Sequence, residues 1–229
     1  MLTRRLNTAI AVGAAVAVIG GGAYGIAGAT SGAGSAPVAN VAAAKGGSNA
    51  RSSAAAGGMV GTVSSVSTSS FTATTSAGQK VTVKKASTTT YKKGSSSPSA
   101  SAVKKGASVL VLGTVNGTTI TATQVVVHPA GTGSPTTFTP SKVVAFQRGA
   151  PSAAKQDGQI PANYTEGSGT IVSGTTADKA TKAALAAYPG GVVDRVVKLS
   201  NGEYEVHNIG VNWPHHIFVS KSFKVVGAD

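Results

Sequence analysis

Thr175-Thr176-Ala177-Asp178-Lys179-Ala180-Thr181-Lys182-Ala183-Ala184-Leu185-Ala186-Ala187-Tyr188-Pro189-Gly190-Gly191-Val192-Val193 reads as a helix, a sharp stop and the start of a strand. Thr175 followed three residues later by Asp178 has the spacing of a capping box, which predicts a helix start there. Ala177, Ala180, Ala184, Ala187 and Tyr188 recur at intervals of three and four, with Leu185 beside them, which makes one apolar stripe. Pro189 cannot continue the hydrogen-bond ladder, and Gly190-Gly191 accept the backbone of a helix exit. Beyond it, Val192 to Leu199 and Tyr204 to Ile209 are strand-like runs around Ser200-Asn201-Gly202-Glu203, and Asn-Gly between two such runs predicts a hairpin. Ile217 to Val219 and Phe223 to Val226 are two further short strands, and Gly169 to Val172 is a candidate edge strand before the helix.

Ala-Ala-Leu-Ala-Ala-Tyr-Pro-Gly-Gly-Val-Val at 183–193, then Arg195 to Leu199, Gly202 to Val206, Ile217 to Val219 and Phe223 to Gly227, resembles a PepSY domain. The resemblance covers about sixty residues. It implies a small extracytoplasmic module, a helix laid across an antiparallel sheet, with a suggested role in binding and restraining peptidases. It carries no catalytic residue to transfer. Gly210-Val211-Asn212-Trp213-Pro214-His215-His216 departs from the simpler polar hairpin of many relatives.

Aromatic residues are 5% and charged residues 12% of the 229-residue chain, so Ser, Thr, Gly and backbone must make up most of its surface. That suits an exported β-rich protein. The chain has no cysteine, which excludes disulfides, thiolate metal sites, a cysteine nucleophile and a cysteine-borne lipid anchor. Arg4 and Arg5 precede an uncharged apolar stretch from Ala9 to Ala29, the order of an export signal, and Ala27-Gly28-Ala29 offers a cleavage site. Uncleaved, the stretch is long enough to act as a membrane anchor.

Charge is divided unevenly. No Asp or Glu precedes Asp157; the first 156 residues carry fourteen Lys and Arg, and the remaining 73 carry six basic and seven acidic residues. Lysine clusters without acidic neighbours either solubilise a Ser/Thr-rich surface or attract a polyanion. For an exported chain the polyanions are anionic lipid headgroups and phosphate-bearing wall polymers. The attraction would be salt-sensitive.

Residues 30–58 have the Ser/Gly/Ala composition of a flexible linker. From residue 59 to 129 five short β-rich runs follow: Met59 to Val66, Phe71 to Thr75, Lys80 to Lys84, Ser108 to Val115 and Thr119 to Val127, the last pair around Asn116-Gly117. Lys92 to Lys105 interrupts them as a Ser/Pro-rich excursion with basic pairs at either end. Five strands in about seventy residues predict a small closed barrel of OB type. The opening Gly61-Thr62-Val63, Gly113-Thr114-Val115 and Thr119-Ile120-Thr121-Ala122 are similar to OB-like domains of uncharacterised exported bacterial proteins. Residues 130–167, with Pro135, Pro140, Pro151 and Pro161, read as a proline-containing linker.

Catalytic motifs are missing from the inventory. There is neither Gly-x-Ser-x-Gly nor His-Glu-x-x-His. On a strand, adjacent His215 and His216 would face opposite sides, so they are not expected to share a metal ion. A metal site of His207 with one of them is the alternative to surface or turn histidines, but no thiol or nearby carboxylate in sequence supports it. Trp213, the sole tryptophan, reads either as a plug closing the sheet or as an exposed anchor for a partner. Lys84, Lys85, Lys92, Lys93, Lys104 and Lys105 are the candidate polyanion-binding residues, and Trp213, His215, His216 and Asn201 the candidate partner-binding residues. Single-stranded nucleic acid would need stacking aromatics, and the barrel segment offers only Phe71 and Tyr91.

The sequence thus predicts a mainly β chain: a small five-stranded OB-like barrel, then a C-terminal α+β module over 168–229 with a PepSY-like helix on an antiparallel sheet. The expected function is that of a non-enzymatic exported cell-envelope protein without a cofactor. Its partners would be a peptidase or other envelope protein and an anionic lipid or wall polymer. The alternatives are a structural wall protein without a peptidase partner and, less compatible with export, an OB-fold nucleic-acid binder.

Overall fold

The computed structural model describes residues 53–128, 143–149 and 155–229. The export-signal or anchor segment 1–29 and most of the first linker lie outside the described residues. Those described fold into mainly β structure, thirteen strands and one α-helix, within one compact unit.

The first five strands are β1 (Ala55–Val66), β2 (Ser70–Thr74), β3 (Lys80–Lys92), β4 (Ser108–Asn116) and β5 (Thr119–His128). β1 pairs with β2, β2 with β3, β3 in parallel with β5, β5 with β4, and β4 returns to β1. The inward residues of the alternating strands, among them Met59, Val63, Phe71, Val81, Val83, Val111 and Ile120, form one buried cluster. β1 begins four residues before the expected domain start at Met59, so the linker assigned to 30–58 ends earlier. β3 continues to Lys92 because Thr89 anchors it, its hydroxyl donating to the Ala122 carbonyl at 2.6 Å.

The C-terminal half adds β8 (Thr170–Ile171), α1 (Gly174–Ala187), β9 (Val192–Lys198), β10 (Tyr204–Ile209), β11 (Val211–Trp213), β12 (His216–Val219) and β13 (Val225–Ala228). The sheet order is β9-β10-β12-β13, with β8 on β9. α1 packs on this sheet through Ala177, Ala180, Thr181, Ala184 and Leu185. Ser173 is its N-cap with no side-chain hydrogen bond, so the helix starts before the expected Thr175–Asp178 capping box. Ala187 is exposed and Thr181 takes its place in the buried stripe. At about 100° per residue, Ala187 falls at the edge of the arc centred on Ala177, Ala184 and Tyr188.

The halves are not two modules strung on a tether. β1 gives one edge to β4 and divides the other, pairing Gly58 and Met59 with Val193 and Val192 of β9 and then Thr62 to Val66 with β2. The eleven-stranded sheet is therefore not a closed barrel as a whole; it runs on from β1 through β9. β1 also serves two cores by alternation: Met59 and Val63 face the first cluster, while Ala56 and Val60 pack against the helix cluster. Gly57 permits the junction, since a Cβ there would meet the Val193 carbonyl oxygen at 2.0 Å.

The described part of the proline-containing segment is also structural. β6 (Val144–Ala145) pairs with β11, and β7 (Asp157–Gly158) pairs with β13. Ile160 and Tyr164 pack with Val197, Leu199 and Phe218 on the face of the C-terminal sheet opposite α1. This sheet is covered on both sides.

Candidate functional site: a lysine-rich end and a buried histidine cluster

The strand register sets Lys85 at the β1–β2 turn and brings the Lys104-Lys105 loop to the end of the strands where β1 finishes, while Lys84 and Lys92, both on β3, stand opposite Thr121 and Val126 of β5. Lys85 donates its backbone N–H to Ser69 in the β1–β2 turn, and its ammonium bonds the Ser67 carbonyl. Gly106, just after Lys104 and Lys105, donates to the Val63 carbonyl. Lys92 pairs with Val126, which pairs with Leu110 near the start of β4. Lys84, Lys92, Lys93, Lys104 and Lys105 are exposed and Lys85 is half-buried. The segment 53–128 contains no Asp or Glu, so none of these ammonium groups has a carboxylate within its own half.

The candidate partner residues are placed quite differently. Trp213 is 1% exposed. Its indole lies edge-to-face on Tyr188 at 5.5 Å, its Nε1–H donates to the Lys155 carbonyl, and the Lys155 ammonium covers its ring at 4.5 Å. It is a core residue and offers no exposed anchor. Asn201 sits in the β9–β10 turn, with Gly202 at φ +84. Its amide bonds the Glu203 carboxylate at 2.8 Å, and its side-chain carbonyl accepts the Glu203 N–H at 3.0 Å. It borders a cavity of about 190 Å³ with Pro161, Asn163, Tyr164, Ser168 and Leu199. Tyr204 pairs with Val219 and His207 with His216, so the Asn201 turn and the histidines lie at opposite ends of β10. The structure does not bring Asn201 together with His215 and His216.

It does bring three histidines together. His215 is not on a strand; it occupies a bend before β12. The alternation that would separate it from His216 therefore does not apply, and this corrects the expectation drawn from adjacency. Ring centroids stand 4.6 Å apart for His207 and His215, 5.2 Å for His215 and His216, and 5.4 Å for His207 and His216.

Period-two alternation builds the rest of the cluster. Val196, Val206 and Ile217 face the helix core, so Arg195, Glu205, His207 and His216 face the other side. Arg195, His207 and His216 lie in one cross-strand row. Asp194 is the extra residue of a bulge between the pairs Arg195–His207 and Val193–Asn208. Bulges re-aim side chains, and here the Asp194 carboxylate meets His207 Nδ1 at 2.6 Å. Asp229 meets His216 Nδ1 at 3.0 Å. Tyr164 covers His216 and Phe218 with ring centroids at 5.6 and 4.8 Å.

Glu205 lies at the centre and is fully buried. The basic groups nearest its carboxylate are His216 Nε2 at 3.8 Å and Arg195 Nη2 at 3.9 Å, both beyond hydrogen-bond range. Burial raises its pKa, and the charges of His216, Arg195 and His207 partly offset that. Burial likewise pushes the Tyr164 hydroxyl up, helped by Glu205 and Asp229. Sequence reasoning named the histidines but missed Asp194, Arg195, Glu205, Asp229 and Tyr164. The signal was Arg195 and Glu205 standing at alternate positions among valines, which puts charge on a face that a β-strand must cover.

His215 has its pKa lowered to about 4, first by burial and then by His207 and His216. Between its ordinary value near 6.5 and about 4, the unfolded chain binds the proton and the folded one does not, so acidification across that window favours unfolding. His215→Gln is expected to lose less stability than wild type from pH 6.5 to 4 in urea melts taken at stepped pH. The residue keeps substantial solvent exposure, so screening makes the difference small. A steeper loss in the variant would contradict this origin.

No family model, no curated protein and no solved structure matches this chain.

Proposed function

We propose that this is a non-enzymatic exported cell-envelope protein whose lysine-rich end holds an anionic envelope polymer or membrane surface. The observation that carries the proposal is that Lys84, Lys85, Lys92, Lys93, Lys104 and Lys105 lie on one folded segment without any carboxylate, all but Lys85 exposed. On this reading the first five strands are an OB-like barrel, supported by pairings that return from β4 to β1, and the C-terminal half is PepSY-like, supported by one helix across an antiparallel sheet. Its protein-binding role then rests on the exposed Asn201 turn and the neighbouring cavity, since Trp213 is buried. Phe71 is also core, which leaves the nucleic-acid alternative short of stacking surface.

The chain from residue 30 onward should cosediment with anionic vesicles and with wall fragments at low salt and release as ionic strength approaches physiological values. Each basic residue near an anionic surface contributes about 1 kcal/mol, so replacing the six lysines by serine should weaken low-salt binding by well over 100-fold. Salt-independent binding, or an unaffected six-lysine variant, would sink the proposal.

A further inference from the structure

Val66, Val144 and Phe146 are the exposed large apolar side chains among the described residues, and Phe146, at 61%, is the most exposed of them. Two of the three belong to one short stretch. Neighbouring residues of an extended chain face opposite ways. Val143 packs with the helix cluster, and Val144 and Phe146, two residues apart, both stand in water. The stretch is pinned on both sides of the phenyl ring. β6 pairs Val144 with Trp213 and Ala145 with Val211 of β11. Beyond the ring, Asn212 accepts the Gln147 N–H at 3.3 Å and donates its amide to the Gln147 carbonyl at 3.4 Å. A slip of one residue along β11 would exchange the two faces and turn Phe146 inward, and these contacts oppose it. The fold thus holds an aromatic side chain out of its core.

We propose that Val144 and Phe146 enter the acyl boundary of an anionic lipid bilayer while Arg148 and Lys155 meet its headgroup phosphates. This rests on the envelope-surface reading above and selects the membrane from the surfaces that reading allows. Charge is the first argument. Arg148 is exposed two residues beyond Phe146, and the exposed Lys155 holds its ammonium over the ring of Trp213, the strand partner of Val144. No Asp or Glu precedes Asp157 in the chain, and the Asp157 carboxylate accepts the Tyr188 hydroxyl. An apolar pair flanked by cations suits the interface of an anionic membrane, where rings bury shallowly and basic side chains keep their charge among the headgroups. A phosphate-bearing wall polymer would answer the cations and leave the phenyl ring in water. A second copy of the chain, meeting this one face to face, would set Arg148 against Arg148 in a protein of net charge +13. Two side chains also cover far less than the roughly 800 Å² per partner of a stable protein interface.

The chain has no cysteine, so one environment-sensitive dye can be placed at a single chosen residue. The test uses the chain from residue 30 onward with Phe146→Cys or Ser200→Cys labelled, at low salt, with vesicles of equal parts phosphatidylcholine and phosphatidylglycerol. Ser200 is the control because its turn lies at the end of β10 opposite β11. The dye at 146 should shift blue on vesicles and be quenched by lipids brominated in their acyl chains; the dye at 200 should do neither. Phe146→Ser, at an exposed position, should weaken vesicle binding about tenfold and leave binding to wall fragments unchanged. A dye at 146 that still reports water on bound vesicles, or equal vesicle binding by Phe146→Ser and wild type, would overturn the insertion and leave the envelope-surface reading standing. A blue shift that grows with protein concentration without vesicles would assign the face to a second copy instead. Absence of any vesicle binding by wild type, with wall-fragment binding kept, would overturn the insertion alone; loss of both would overturn the two readings together.

Discussion

Gly57→Ala is expected to destabilise the protein by about 3 kcal/mol or more, although the change adds one methyl group. The added Cβ would lie 2.0 Å from the Val193 carbonyl oxygen and 3.2 Å from the Val115 side chain, so β1 and β9 must move apart. Backbone cannot yield as the far end of a side chain does, which places the cost at or above the ordinary 1–3 kcal/mol of overpacking. The shift would propagate both ways. Val192 belongs to the first cluster and Val193 to the helix cluster, so a displaced β9 opens both cores. For a folded unit of this size each kcal/mol lowers the melting temperature by roughly 2–4 °C, giving an expected drop of about 6–12 °C. A melting temperature within a degree of wild type would show that the close approach at Gly57 is not needed.

Trp213→Ala should cost about 3–5 kcal/mol, the range for removing a buried large aromatic side chain. Three contacts disappear together: the edge-to-face packing on Tyr188, the Nε1–H bond to Lys155, and the ammonium over the indole face. They tie β11 to the segment carrying Asp157, whose carboxylate accepts the Tyr188 hydroxyl at 2.8 Å. Trp213→Phe keeps the ring packing and loses the hydrogen bond, so it should fall between the two. Chemical denaturation followed by circular dichroism reads both variants. Emission from the sole tryptophan should be blue-shifted in the native protein and move red on unfolding. A solvent-like native spectrum, or a Trp213→Ala variant as stable as wild type, would contradict the buried placement.

The five strands of the first half and the helix, hairpin and last strands of the second were legible because each is a local signal. Alternation marks Val81 and Val83, and Asn201-Gly202 marks its turn. Pro189 with Gly190 marks the helix stop. What stayed hidden was set by long-range pairing. Gly57 and Gly58 read as linker glycines, yet they are the residues that let β1 approach β9 and β4 at once. Pro161 and its neighbours read as a tether, while Ile160 and Tyr164 cover a sheet face whose apolar members, Val197, Leu199 and Phe218, lie far along the chain. The histidine cluster escaped for the same reason. His207, His216 and Arg195 meet only through the β9–β10–β12 register, and Asp194 is aimed by a bulge that the sequence does not announce.

The fold rests on the two halves being one cooperative structure joined along β1. Differential scanning calorimetry of the chain from residue 30 onward tests that most directly. A single transition is predicted, with calorimetric and van't Hoff enthalpies equal. Two resolved transitions, one of them unmoved by Gly57→Ala, would contradict it.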